Sequence, residues 1–263
     1  MDTKIVLVDL DLTLLHTDGS LSQKNIDALK KCQQQGILVG FCTSRGTTRI
    51  KEFTDAVNPE LWICNAGATI YYKGELIHAE SFSLEETRGL LSKVYEVCGS
   101  DAEITVDTLD DFFWNRTENK TTQYMPEATF DDFTDFKEPA MKFCVQTSDT
   151  AKAQKIIADF PNCSAILFSD IPWYKFSPKS ATKENAVAFL EKHFNISAAQ
   201  MISFGDDYAD IGMLKATGVG VAMANAIPEV KAIANAHTLS CDEDGVADYL
   251  EKWILSDKNN SLI

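Results

Sequence analysis

Three short apolar runs, far apart in the chain, each end in carboxylates or hydroxyls. Lys4-Ile5-Val6-Leu7-Val8 leads into Asp9-Leu10-Asp11-Leu12-Thr13, and Ile37 to Cys42 leads into Thr43-Ser44-Arg45. Met201-Ile202-Ser203-Phe204 leads into Gly205-Asp206-Asp207, with Asp210 close behind. Short, continuous, β-branched runs of this kind describe strands buried on both faces, as in a parallel sheet. Open α/β sheets bind ligands outside the carboxyl ends of their strands. One rim should therefore collect Asp9, Asp11, Asp206, Asp207 and Asp210 with Thr43 and Ser44. So many carboxylates cannot stand together charged and unpaired. A divalent cation resolves the conflict, and all-oxygen donors favour Mg²⁺.

The rest of the chain divides around this pattern. Ser22 offers an N-cap, Ile26, Leu29 and Cys32 share a helix face, and Gly36 offers a stop. Leu61 to Cys64 reads as a third buried strand, and 69–72 with 75–78 as a hairpin about Lys73-Gly74. After about residue 82 the pattern changes to α+β: a helix at 84–98, strands at 102–106, 112–114, 140–146, 165–169 and 173–176, and a helical stretch near 150–159. The parallel signature resumes with helices at 182–194 and 210–216, a strand at 219–222 and a helix at 228–235 opened by Pro228. Thr238-Leu239 is a last strand candidate, before a helix at 246–255. The expected architecture is a discontinuous α/β core, 1–81 plus 179–263, with an inserted α+β domain at 82–178.

Charge narrows the partners. The chain of 263 residues has 24 basic and 39 acidic side chains, a net charge of −15. A nucleic-acid binder needs a basic face, and an anionic membrane is an equally poor partner. An acidic protein that binds an anion needs a cation or a focused local patch. Seven cysteines, none spaced CxxC, read as free and mostly buried thiols. Asp9 and Asp11 interrupt the first apolar run, and 217–228 is too short to span a bilayer. A cytoplasmic protein is expected, and no protein partner is readable.

At this point the sequence resembles the haloacid dehalogenase superfamily of phosphohydrolases, and within it the Cof-type sugar-phosphatase branch, over nearly the whole chain. Asp9-Leu10-Asp11-Leu12-Thr13 matches the first motif, Thr43-Ser44-Arg45 the second, Lys183 after Phe176-Ser177-Pro178 the third, and Gly205 to Asp210 the fourth. Asn65-Ala66-Gly67-Ala68, Asn225 to Lys231 and Asp244 to Ala247 also look like this branch. The resemblance implies a Rossmann-like parallel-sheet core with an α+β cap. It implies a Mg²⁺-dependent phosphatase of small phosphorylated metabolites, with sugar phosphates foremost. Asp9 would be the nucleophile and Asp11 the acid and then base. Asp9, the Asp11 carbonyl and Asp206 would hold Mg²⁺. Thr43, Ser44 and Lys183 would bind the phosphoryl group, and Asp210 would orient Lys183. A sugar phosphomutase, or a catalytically weak phospho-ligand binder, remains an alternative.

Other residues carry bland readings beside functional ones. Thr13 reads as loop support, Asn65 as holding a turn near the site, and Asp207 as an outer group around a metal. Arg45 and Arg49 face either the substrate or solvent. Phe112, Phe113, Trp114, Trp173 and Tyr174 either line a pocket or fill a core. His16, His78, His193 and His237 fit no triad or zinc spacing. Four positions depart from the family pattern: Leu12 and Ser44 stand where Gly is usual, Glu184 follows the motif lysine in place of Gly, and Ala209 replaces Asn.

Overall fold

Ile5–Val8 is wholly buried and forms β1 at the centre of the larger of two sheets. The computed structural model describes residues 2–116, 128–169 and 171–256. β1 pairs in parallel with β2 (Leu38–Cys42) on one side. The chain continues through β3 (Leu61–Cys64), β4 (Thr69–Tyr72) and β5 (Glu75–Ala79), the last two closing the edge as an antiparallel hairpin. It then leaves to build the smaller sheet: β6 (Ile104–Asp107), β7 (Phe112–Trp114), β8 (Thr129–Phe130), β9 (Lys142–Gln146), β10 (Cys163–Leu167) and β11 (Trp173–Pro178). It returns with β12 (Met201–Gly205), β13 (Val219–Ala222) and β14 (Ala236–His237). The larger sheet runs β14-β13-β12-β1-β2-β3-β4-β5, and the smaller β10-β11-β9-β6-β7-β8. The order of the larger sheet puts the ends of β1, β2 and β12 side by side, which is where three motifs must meet.

Both faces of the larger sheet are covered, as a parallel sheet requires. Val6 and Val8 face α1 (Gln23–Gln34), α2 (Lys51–Val57), α7 (Pro228–Ile233) and α8 (Gly245–Trp253). Ile5 and Leu7 face α5 (Lys183–Phe194) and Met213 of α6 (Ile211–Ala216). Ser22 caps α1 by accepting the Asn25 N–H, as the sequence suggests. α2 carries no strong periodic signal and is found only in the structure. The last strand lies at Ala236–His237, not Thr238-Leu239; the Thr238 N–H does bond to the Ala222 carbonyl, just past the ladder.

The smaller sheet is covered on one face only by its own helices, α3 (Leu84–Cys98) and α4 (Thr150–Ile157). Leu90, Val94 and Ile156 pack there on Val106, Phe143, Val145 and Phe176. The alternate residues of the same strands point the other way, toward the rim of the larger sheet. Two glycines let the rim close up. A Cβ on Gly205 would meet the Asp210 Cβ at 2.4 Å, and one on Gly67, at φ +105°, would meet the Thr182 carbonyl oxygen at 2.3 Å. Among the described residues, no helix is long and apolar enough to cross a membrane.

Candidate active site

Asp9 leaves the end of β1 and opens one wide helical turn, in which the Leu14 and Leu15 N–H groups donate to the Asp9 and Leu10 carbonyls at 3.2 and 2.9 Å. Leu12 occupies the left-handed region of this turn, φ 56° and ψ 12°, a conformation that favours glycine. That accounts for the small residue usual at this position. Thr13 donates from its hydroxyl to Asp206 Oδ1 at 2.8 Å, so it ties the first loop to the last. Lys183 is the first residue of α5, behind the N-cap Thr182. Its ammonium donates to Asp9 Oδ1 and to Asp210 Oδ1, both at 2.6 Å. The other oxygen of Asp210 accepts the N–H groups of Asp206 and Asp207 at 3.0 and 3.1 Å. Asp210 therefore bonds both the lysine and the loop at once.

Oxygens of Asp9, Asp206 and Asp210 lie within 4.8 Å of one another, and all three residues are buried. Burial raises the Asp9 carboxyl to about 8, against the pull of Lys183 and with the repulsion of Asp210 and Asp11. Burial, then Asp210 and Asp9, raise Asp206 to about 9. Burial alone would lower the Lys183 ammonium, but Asp210 and Asp9 outweigh it and hold it above the ordinary lysine value. One ammonium thus faces three carboxylates. Asp207 Oδ1 is also buried and without a hydrogen-bond partner. An all-oxygen, over-charged donor set with an orphaned carboxylate oxygen beside it fits a small divalent cation such as Mg²⁺.

Asp11 turns away from this cluster. Its carboxylate accepts from Arg45 Nε at 3.0 Å and Nη2 at 2.6 Å. Arg45 also donates to the Arg49 carbonyl at 3.2 Å. Arg49 reaches across to the smaller sheet, bonding Asp107 Oδ1 at 2.7 Å and stacking 4.1 Å over Phe112. Asp107 is buried and also accepts from Lys142 at 2.6 Å. The two sheets enclose a cavity of about 750 Å³, walled by Asp9, Asp11, Asp206 and Lys183 from one side and by Phe112, Trp114, Lys142 and Trp173 from the other.

The structure brings together Asp9, Asp206, Asp210 and Lys183, with Asp11 beside them on the cavity wall. Ser44 and Ala209 also line the cavity. Thr43 is fully buried, and its hydroxyl accepts the Arg45 N–H at 3.1 Å, so here it braces the loop. Asn65 does not hold its turn through its side chain, since both of its amide atoms are buried without partners. Glu184 packs against Gly212, where a Cβ would meet its Oε2 at 2.9 Å, which shows how the departure from Gly is absorbed. The aromatics divide by strand alternation. Phe112, Trp114 and Trp173 line the cavity, whereas Phe113 and Tyr174 belong to the core beneath the smaller sheet. The sequence reading missed Asp107 and Lys142. Their signal is a charged residue at an inward position of an otherwise apolar strand, and the register pairs the two directly.

The profile of the haloacid dehalogenase-like hydrolases matches residues 6–250. The chain belongs to this family. Among the relatives of this haloacid dehalogenase-like hydrolase, phosphatase YwpJ of Bacillus subtilis is 26% identical, over 94% of this chain and 99% of the relative. The HMP-PP phosphatase of Cronobacter sakazakii is also 26% identical, over 94% of each chain. A phosphatase of the same superfamily from Bacteroides thetaiotaomicron superposes with a TM-score of 0.80 at 26% identity, covering 95% of this chain and 94% of that one. The family is the one the four motifs suggest, and the fold is its mixed α/β fold.

Proposed function

We propose that this haloacid dehalogenase-like phosphatase hydrolyses small phosphorylated metabolites, sugar phosphates foremost, in two steps through an aspartyl-phosphate. The observation that carries the reading is the Lys183 ammonium shared at 2.6 Å between Asp9 and Asp210, at the floor of a cavity large enough for a sugar phosphate. The names of the relatives, phosphatases throughout those described above, support it.

In the first step an Asp9 oxygen attacks phosphorus, the bond to the alcohol oxygen breaks, and Asp11 gives that oxygen a proton. In the second step Asp11 takes a proton from water as the water oxygen attacks phosphorus, which frees Asp9 and inorganic phosphate. Lys183 and the loop around Ser44 would hold the phosphoryl oxygens, and Asp210 would keep Lys183 in place. Thr43 would act through the same loop. Mg²⁺, held by Asp9, Asp206 and the Asp11 carbonyl, would neutralise the repulsion between a carboxylate and a phosphate dianion. Arg45 would keep the Asp11 carboxylate aimed into the cavity.

Residues 1–81 and 179–263 would act as the catalytic core and 82–178 as a cap. The cavity-facing side of the smaller sheet supports this, because a face without helices of its own must cover something else. Closure would exclude water during the first step and reopening would release product. A reducing cytoplasm suits the seven cysteines, which are all free thiols. The test is release of inorganic phosphate from p-nitrophenyl phosphate and from a panel of sugar phosphates with Mg²⁺. No release from any of them would overturn the reading.

A further inference from the structure

Lys175 is a buried cation that the chemistry above does not use. It lies on β11 and is 2% exposed. Strand alternation gives it the core-facing side, shared with Trp173, and the register places it opposite Cys144; both of those neighbours line the cavity. Among the described residues, each cation of the cavity wall is matched to a carboxylate: Arg45 to Asp11, Arg49 and Lys142 to Asp107, Lys183 to Asp9 and Asp210. Among the described residues, the Lys175 ammonium makes no hydrogen bond and no ion pair. Its charged neighbours are Lys183 and Lys142, which repel it, and Asp210 and the Cys144 thiol, which favour its charge. Burial and the two lysines push it down to about 8. A cation desolvated between two other cations is costly unless something negative arrives to meet it.

The transferred phosphoryl group does not explain this position. That group is served by the larger sheet, where Lys183 already stands between Asp9 and Asp210. Lys175 comes from the smaller sheet, beside Trp173 and Cys144 of the opposite wall, with Lys183, Lys142 and Asp210 as its charged neighbours. A flexible four-carbon stem would let the ammonium swing past Cys144 to meet a ligand in the cavity. We propose that Lys175 recognises a second anion on the substrate, so that the preferred substrates are phosphomonoesters whose organic part carries a further carboxylate or phosphate. The proposal rests on the phosphatase reading and narrows its substrate class.

The test compares kcat/KM in wild-type enzyme with Mg²⁺ for two matched pairs: glycerol phosphate against phosphoglycerate, and fructose monophosphate against fructose bisphosphate. p-Nitrophenyl phosphate reports whether the enzyme turns over at all. The doubly anionic member of at least one pair should be preferred by about 10-fold or more, the scale of a charge-assisted contact. Which pair shows the preference tells a carboxylate from a second phosphate. Lys175→Met should bring that ratio to about 1, because each ratio is read within one protein, while Lys175→Arg should keep most of it. Turnover of p-nitrophenyl phosphate with no preference in either wild-type pair would overturn the proposal without touching the phosphatase reading, and needs no variant to fold. A preference that survives Lys175→Met, or an equal loss on all substrates including p-nitrophenyl phosphate, would also overturn it. Wild-type enzyme inert toward every compound would overturn the phosphatase reading, and this proposal with it.

Discussion

Arg45 holds the carboxylate of Asp11 through two nitrogens, at 3.0 and 2.6 Å. A bidentate guanidinium fixes the plane of a carboxylate as well as its position. Arg45 in turn bonds Arg49, which bonds Asp107 on the smaller sheet. The proposed acid and base is thus linked, through two arginines, to the opposite wall of the cavity. If Asp11 protonates the leaving oxygen, its loss should matter most where the leaving group is a poor one. Asp11→Asn should therefore lower kcat/KM for an alkyl phosphate about 10-fold more than for p-nitrophenyl phosphate, whose leaving phenolate needs no proton. Steady-state kinetics on both substrates checks this. Equal losses would remove Asp11 from the acid role.

Asp107 should be a stability residue as much as a site residue. It is 1% exposed and carries both Arg49 and Lys142. Asp107→Asn leaves two cations short of their carboxylate and should cost ~3–5 kcal/mol in denaturant unfolding. Burial alone would raise the Asp107 carboxyl, but Arg49 and Lys142 outweigh it and hold it below its ordinary value. Its contribution is therefore complete above the unfolded carboxylate value and is lost as pH falls through the lower folded one. The gap between wild type and Asp107→Asn should shrink on acidification below about pH 4. A gap unchanged down to the limit of folding would contradict the ion-pair account.

Lys175 has a slope of the same direction, in the alkaline range, but a substitution there should stabilise instead of destabilise. Its ammonium is lowered from 10.5 to about 8 in the folded protein, first by burial and then by Lys183 and Lys142. Between those values the unfolded chain binds more protons, so this group's contribution to stability rises with pH. Lys175→Met should be the more stable protein at neutral pH, by roughly 3 kcal/mol at most. That advantage should fade as pH climbs from 8 to 10.5. Urea unfolding of both proteins across this range measures it. A destabilised Lys175→Met at neutral pH would mean that the charge has a partner.

Mg²⁺ should raise the melting temperature as well as support turnover. The raised Asp9 and Asp206 carboxyls mark repulsion and burial that a cation relieves in the folded state alone. Chelation should lower the melting temperature of protein purified with Mg²⁺, and Asp206→Asn should abolish the response to added ion. Ca²⁺ should support turnover poorly, since its shell is larger and looser. A melting temperature indifferent to Mg²⁺ would place the cation elsewhere.

Much of the rim is legible because strand burial and strand ends leave direct marks. Apolar Ile5–Val8 and the mostly apolar Met201–Phe204 announce a parallel sheet, and the carboxylates that follow have nowhere to go but its edge. Lys183 is legible by motif order, and only the structure shows its two bonds. Three features lie beyond sequence reasoning. The Arg45–Asp11 pair joins residues 34 positions apart on different loops, and either could have faced solvent. The Asp107–Lys142 pair depends on strand register, which a one-residue slip would undo. The split of Phe112 and Trp114 from Phe113 depends on which face of β7 meets the cavity, and alternation alone gives two answers. α2 went unseen for a simpler reason. Its seven residues begin behind Ile50, which makes no side-chain cap.

The central claim is that the Asp9 carboxylate forms a bond to phosphorus. Rapid acid quench of wild-type enzyme with radiolabelled substrate, followed by peptide mapping, tests it most directly. The account predicts transient label on the peptide containing Asp9, absent in Asp9→Asn, with turnover in that variant reduced to background while its unfolding curve persists. Normal turnover by Asp9→Asn, or wild-type turnover with label on no residue at any quench time, would contradict it.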